Sequence, residues 1–518
     1  MMITFKLRSL TFFVFIAFSI WCSSLLEPCD ARKGGKQYWR QNKGASAPAS
    51  ALRKEQKGYG GNHQRHQAGP RVSTTPSRGD NYITPEETAA KLQKNSGGNS
   101  NVFNVLDYGA KGDGKADDTK AFETAWAAAC KVQASTINVP SGSVFLVKPI
   151  SFSGPNCEPN IVFQLDGKII APTSSGDWGS GLLQWLEFTK LKGISIKGKG
   201  VIDGQGSVWW SDSPTYNIPA DQTYSTRVPF HVNFHTQVIE SDSGKMPSTK
   251  PTALRFYGSD GVSVTGITLQ NSPQAHLKFD ACTNVQVSDI SISSPGDSPN
   301  TDGIHLQNSQ DVVIFGTSIA CGDDCISIQT GCSNIYVHNV NCGPGHGVSI
   351  GGLGKDNTRA CVSNVTVRDV KMHNTLTGVR IKTWQGGSGS VQNIMFSNIQ
   401  VSEVATPIMI DQFYCDKSKC QNETSAVAVS GVNYVNIQGT YTTKPVHFAC
   451  SDSVPCTGVS LDTIQLKSVD EGKQLYGPFC WEAYGELKTS TVPEIDCLKK
   501  GKPSSSSTGA RSESSNSC

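Results

Sequence analysis

The chain has 518 residues, with 46 Lys or Arg against 43 Asp or Glu and a formal net charge of +3. That balance excludes a strongly basic nucleic-acid binder and a strongly acidic solvating chain, and the length suffices for one large domain or two ordinary ones. With 51 Gly and little long-range helical periodicity, an all-β protein is expected.

The N-terminus reads as an address. Lys6 and Arg8 precede an apolar run over residues 10–26, and small and polar residues follow around Cys29 and Ala31. This predicts a secretory signal peptide over residues 1–31, cut somewhere between Ser24 and Ala31. The run is short for a membrane span and no later stretch is apolar enough to be one, so the mature form is expected free of membrane and extracellular. Residues 32–100 are rich in Gly, Ser, Gln and Pro. Between Ala31 and Asp80 eleven Lys or Arg stand against two acids. Such a segment buries too little apolar surface to offset its ordering entropy and is expected to be disordered. It reads as a linker or removable propeptide, or more sharply as an electrostatic tether to an acidic polymer outside the cell. The Ser-rich tail over residues 501–518 is expected to be loose as well.

Secretion accounts for the sulfur. The sequence has 17 Cys, and local spacing suggests the pairs Cys130–Cys157, Cys325–Cys342, Cys450–Cys456 and Cys480–Cys497. No cluster has zinc spacing, so neither a metal nor a cofactor is expected. Asn364 and Asn422 head glycosylation sequons.

The folded domain is expected over residues 101–500. A short strand at Phe103–Leu106 leads into a Gly/Asp loop. Asp117 or Asp118 can then cap a helix that carries Ala121, Phe122, Ala125, Trp126 and Ala129 on one face. The acidic run before the helix lacks the Gly and terminal Glu of a calcium loop. Beyond it the chain repeats itself. Val262, Val264, Ile267 and Leu269 are echoed by Val285, Val287, Ile290 and Ile292, and again from Val312, Ile335, Val365 and Ile394. An earlier copy runs over Ile194, Ile196, Lys199 and Val201. A period of roughly 23–30 residues made of short alternating strands means a solenoid. We expect a right-handed parallel β-helix plugged at its N-terminal end by the helix. A leucine-rich repeat would need a Leu-x-x-Leu-x-Leu pattern and its Asn ladder, and both are missing.

A solenoid makes register informative. A third strand set starts at Ile304, Ile326 and Val348, and two residues before each stand Asp302, Asp324 and His346. Neighbouring strands lie about 4.8 Å apart, so these groups should stack in one column. Asp323 joins them if the chain turns a corner there, for which Gly303, Gly322 and Gly347 would serve and which Cys325–Cys342 would pin. One coil further, Arg380 and Lys382 share a face. Crowded carboxylates separate in pKa, one keeping a proton while its neighbours ionise, and glycoside hydrolysis uses such a pair. The basic pair would hold an anionic sugar carboxylate.

The segments at residues 300–303, 322–325, 345–347 and 380–382 resemble, in order and register, the four signatures of the polygalacturonases, glycoside hydrolase family 28. The segment over residues 104–122 is similar to plant members. The resemblance covers residues 102–497 and departs from the family in the basic extension. It implies hydrolysis of α-1,4-galacturonan in pectin (polygalacturonic acid) with inversion by a monomeric enzyme. Asp323 would be the general acid, Asp302 and Asp324 would activate water, and His346 would set their protonation. Arg380 and Lys382 would bind galacturonate, with Asn300 and Tyr414 near the substrate. A calcium-dependent eliminase like the pectate lyases, and a non-catalytic pectin-binding wall protein, are the alternatives.

Overall fold

The computed structural model describes residues 101–210, 246–416, 422–470, 476–503 and Cys518. The readings for residues 1–100 and for most of the tail lie outside these residues.

Strands of successive coils pair in parallel to build two long sheets, the larger of 19 strands and the smaller of 11. The repeated apolar positions are the reason. Val262, Val285, Val312, Ile335, Val365 and Ile394 are partners in unbroken register, and all are buried. Each supplies one rung of an inner column, and alternation sends the residues between them outward. Two further coils continue the column at Val432 and Val459. The first departs from the pattern because an excursion carrying Phe413 and Tyr414 stretches the interval and Gly439 interrupts the motif, whereas the second repeats it intact at Val459, Leu461, Ile464 and Leu466 and was overlooked. Upstream, Ile194 and Ile196 pair with Val262 and Val264 as expected, but Ile202 rather than Val201 faces Leu269. The turn there is longer than in later coils.

Asn ladders of another kind than the leucine-rich one do exist, at the corners of the larger sheet. Asn334, Asn364 and Asn393 take φ of 57°, 55° and 58°, a left-handed region that Asn tolerates better than most residues. Each donates its amide to the side-chain oxygen one coil back: Asn334 to Asp311 at 2.9 Å, Asn364 to Asn334 at 3.1 Å, Asn393 to Asn364 at 3.2 Å. A second ladder runs from Asn436 to Asn398 to Asp369. The sequon residue Asn364 is thus an exposed rung of the first ladder, and Asn422 is exposed too.

The helix spans Thr119–Ala129 and buries the five predicted residues. Trp126 packs on Phe152 and Phe188, and Phe122 on Phe145 and Phe163, all from the first coils. The helix thereby closes the otherwise open apolar end. Asp118 occupies the N-cap position, yet its carboxylate turns back to accept from Lys111 and Gly112 in the preceding loop. Asp117 accepts the Thr119 N–H instead.

All four expected disulfides form. Cys361–Cys518 is a fifth, so the last residue is bonded to the solenoid rather than loose. Among the described residues no helix is long and apolar enough to cross a membrane.

Candidate active site

The smaller sheet carries the site. Ile304, Ile326, Val348 and Val379 pair in register, coil upon coil, as the strand starts predict, and Leu277 extends the column upstream. All are buried. The residue after each anchor forms an outward column: Lys278, His305, Ser327, Ser349 and Arg380.

The corner before Ile326 brings the two adjacent aspartates together. The chain bends at Gly322 and Asp323, and the Asp323 carboxylate accepts the N–H of Asp324 at 2.8 Å. Both then line one cleft, with Asp302 and Asn300. The glycines serve this corner in different ways. Gly347 needs its φ of 85°. Gly322 and Gly303 are there for room, since a Cβ at Gly322 would lie 1.9 Å from the Ser298 carbonyl and one at Gly303 2.5 Å from that of Cys325. Cys325–Cys342 ties the corner to the larger sheet.

Charge is distributed unevenly over the three acids. Asp324 is only 2% exposed. Its carboxylate accepts from Arg380 Nη2 at 2.7 Å, Lys382 Nζ at 2.9 Å and Ser349 Oγ at 2.7 Å. Burial opposes its ionisation, but Lys382, Arg380 and His346 prevail and hold it far below the usual carboxylate range. Asp302 goes the other way. Burial and the charge of Asp323 push its pKa up, against the pull of His305, whose Nδ1 lies 3.2 Å from Oδ2. Asp323 meets His346 Nδ1 at 3.0 Å. The sequence reading expects one raised carboxyl. The structure places it at Asp302, where no Lys or Arg is paired, because both basic groups are drawn to Asp324.

That is also where the predicted sugar-binding cations are. Arg380 and Lys382 are buried and occupied with Asp324. Lys382 still lines the cleft, while Arg380 stands behind Asp324 and donates Nε to Ser349. Tyr414 lines the far wall, its ring 5.2 Å from Lys382 Nζ and edge-on to Trp384 at 5.4 Å. Gly351 and Gly352 form the floor beneath them. A Cβ on Gly352 would come within 2.8 Å of the Trp384 indole nitrogen and 3.1 Å of the Tyr414 ring. Gln329 fastens this floor through the Gly351 carbonyl. Sequence reasoning missed His305, Ser349, Gln329 and Trp384. The first two were accessible, since they follow the anchors Ile304 and Val348 directly.

Residues 130–241 and 237–477 match the family described as glycosyl hydrolases family 28. The chain belongs to that family. Within it, the polygalacturonase of Cryptomeria japonica is 42% identical over 390 residues, 75% of this chain and 71% of the relative. A probable polygalacturonase of Arabidopsis thaliana is 38% identical over 396 residues, 76% and 83% of the two chains. The exopolygalacturonase of Thermotoga maritima superposes with a TM-score of 0.56 at 22% identity, over 73% of this chain and 91% of that one. The family 28 fold is a right-handed parallel β-helix, the hand that parallel crossovers adopt. The enzyme is a hydrolase of glycosidic bonds.

Proposed function

We propose that this family 28 enzyme hydrolyses the α-1,4-galacturonosyl linkages of pectin by a single inverting displacement. The observation that carries this is the split among three clustered acids: Asp324 clamped as an anion, and Asp302 driven toward protonation beside Asp323. Acid and base are both needed at one glycosidic bond, and a cluster in which only part ionises supplies both. Asp302 lies beside Asp323, whose charge is one cause of its raised pKa, and one proton between the two carboxylates relieves that repulsion. In the reacting complex the shared proton is assigned to Asp323, which stands at the corner with His346 behind it and protonates the leaving oxygen. Asp302 and Asp324 are then ionised and hold the attacking water, Asp302 being the stronger base because Asp324 is saturated by cations. Lys382, with further N–H donors toward the cleft, and Tyr414 receive the sugar; Asn300 lies at the opposite rim. Arg380 acts through Asp324.

An eliminase would need a cation among the acids. Asp323, Asp324 and His346 offer ligand atoms within 4.8 Å of one another, but such an ion would sit against Arg380 and Lys382 at Asp324. Hydrolysis is the better fit. The reading of the N-terminus and the kinship with plant polygalacturonases support action outside the cell on wall pectin; the enzyme acts as a monomer and its basic extension as a linker or tether.

The test combines a reducing-sugar assay on polygalacturonate with Asp323→Asn. Turnover should fall by roughly 10²–10⁴-fold with substrate binding retained. Activity within a few-fold of wild type would refute the assignment. Proton NMR in the first minutes should show the β-anomer first; an α-anomer first would mean retention.

A further inference from the structure

The charged groups that line the cleft are nearly all engaged. Asp324 holds Lys382 and Arg380. Asp302 holds His305, and Asp323 holds His346. Lys355 pairs with Asp416 at 3.6 Å and lies over the Trp384 ring at 4.9 Å. Lys278 is the exception. It lines the same cleft at the upstream end, in the outward column that continues through His305 and Ser327 to Ser349 and Arg380. Among the described residues its ammonium makes no hydrogen bond or ion pair. The cation next to it in the column, Arg255, is spent on Glu187 at 2.8 Å and Asp280 at 2.7 Å.

A half-buried ammonium without a partner is costly, and burial depresses its pKa, with Asp280 and Asp302 only partly compensating. Asp280 and Asp302 attract the ammonium without reaching ion-pair distance, so its donors are left for a ligand. A neutral side chain would serve a merely structural position better, as Ser327 and Ser349 do further along the same column.

We propose that Lys278 forms a second carboxylate subsite, which binds the acid group of a sugar unit upstream of the scissile bond. Its strand lies two strand spacings, about 10 Å, from the strand that follows Asp324. A polymer lying along the sheet over the aspartates must pass it. Gln274, on the same rim, offers a neutral donor beside it. The ligand class is a uronate within a polysaccharide, bound as a point charge rather than by the planar fork an arginine would give. The cleft would then grip an acidic chain on both sides of the cut, at Lys278 and at Lys382, with the site of reaction between them. This subsite rests on the activity proposed above.

The decisive variant is Lys278→Met, which keeps the length of the stem. KM on polygalacturonate should rise at least about tenfold with kcat little changed, the loss expected of a charged hydrogen bond to substrate. Lys278→Arg should recover much of it. Highly methyl-esterified pectin offers few carboxylates, so the two enzymes should converge on it. An unchanged KM on polygalacturonate, or an equal loss on the esterified substrate, would overturn the subsite. If the wild-type enzyme releases no reducing ends from polygalacturonate, the proposed activity fails instead. In that event, binding of oligogalacturonide to the wild type and to Lys278→Met by calorimetry still decides the subsite: equal affinity overturns it, and a loss of about tenfold supports it.

Discussion

The two sheets use one geometry for opposite ends. On the larger sheet, stacked coils bring amide above amide, and Asn334, Asn364 and Asn393 satisfy one another along a neutral ladder. On the smaller sheet the same stacking brings charge above charge. Asp302, Asp323 and Asp324 crowd together beside Arg380 and Lys382, and the pKa of Asp302 is driven up while that of Asp324 is held down. A ladder rung is exposed, and each rung costs little to lose. The centre of the charge cluster, Asp324 with Arg380 and Lys382, is buried, and each node is answered by another. A solenoid thus stores stability in repetition and function where the repetition is broken.

The contrast is broken most severely at Asp324. Asp324→Asn would leave Arg380 and Lys382 buried without their anion. Removing one partner of a buried ion pair costs about 3–5 kcal/mol, and activity should vanish with it. Because the folded pKa of Asp324 is depressed, its contribution is fully present above the unfolded carboxylate value of about 4 and is lost only as pH falls through the lower folded value. Denaturant midpoints of wild type and variant should therefore differ by a constant amount from about pH 5 to 7 and converge only in strong acid. Convergence already at pH 5 would mean that Asp324 is not the clamped anion.

Next comes the covalent tie at the corner. Cys325–Cys342 closes a loop of 17 residues, for which chain entropy predicts about 3 kcal/mol. The double variant Cys325→Ala, Cys342→Ala should lose about this much in chemical denaturation. It should also lose turnover, because Asp323 and Asp324 face one cleft only while the corner is held. Full activity in the double variant would show that the glycines and the backbone suffice.

Asp302 should behave in the reverse sense to Asp324. Its folded pKa is raised, so its ionisation opposes folding at neutral pH and the penalty is relieved as pH falls through the folded value. Asp302→Asn should remove turnover and yet raise the melting temperature at pH 7, with the gain shrinking in acid. Active sites commonly carry strain of this kind. A lower melting temperature at pH 7 would place the electrostatic stress elsewhere.

Most of this division was legible in the chain. The columns headed by Val262 and Ile304 are visible because inner positions recur as Val, Ile or Leu at near-constant spacing, and register follows directly. The clustering of Asp302, Asp323, Asp324, His346, Arg380 and Lys382 follows from that register. What sequence could not supply is who pairs with whom. Arg380 and Lys382 read as cations for the sugar, since register gives column and face but not reach; only the side-chain paths show both ending on Asp324. Lys278 stayed hidden because its significance is the lack of a partner. The coil at Val432 was lost where an excursion altered the spacing, and the regular coil at Val459 beyond it was lost with it.

The smallest expected effect is on the ladder side, and it calibrates the rest. Asn398 sits at φ 53° and is exposed. It donates to Asp369 at 3.1 Å and accepts from Asn436 at 3.0 Å. Two substitutions separate its two roles. Asn398→Gly removes both hydrogen bonds but keeps a backbone at ease in the left-handed region, so its loss, about 1 kcal/mol, reports the bonds together with the added freedom of the unfolded chain. Asn398→Ala removes the same bonds and adds a Cβ penalty of about 1–2 kcal/mol for that conformation. Alanine should therefore be the worse of the two by about the Cβ term, with kcat and KM unchanged in both. If glycine destabilised as much as alanine, the ladder bonds would dominate and the corner conformation would count for nothing. If glycine were neutral, the Asn would stand there for its backbone alone, and the rungs of this sheet would be a consequence of the turn rather than a support for it.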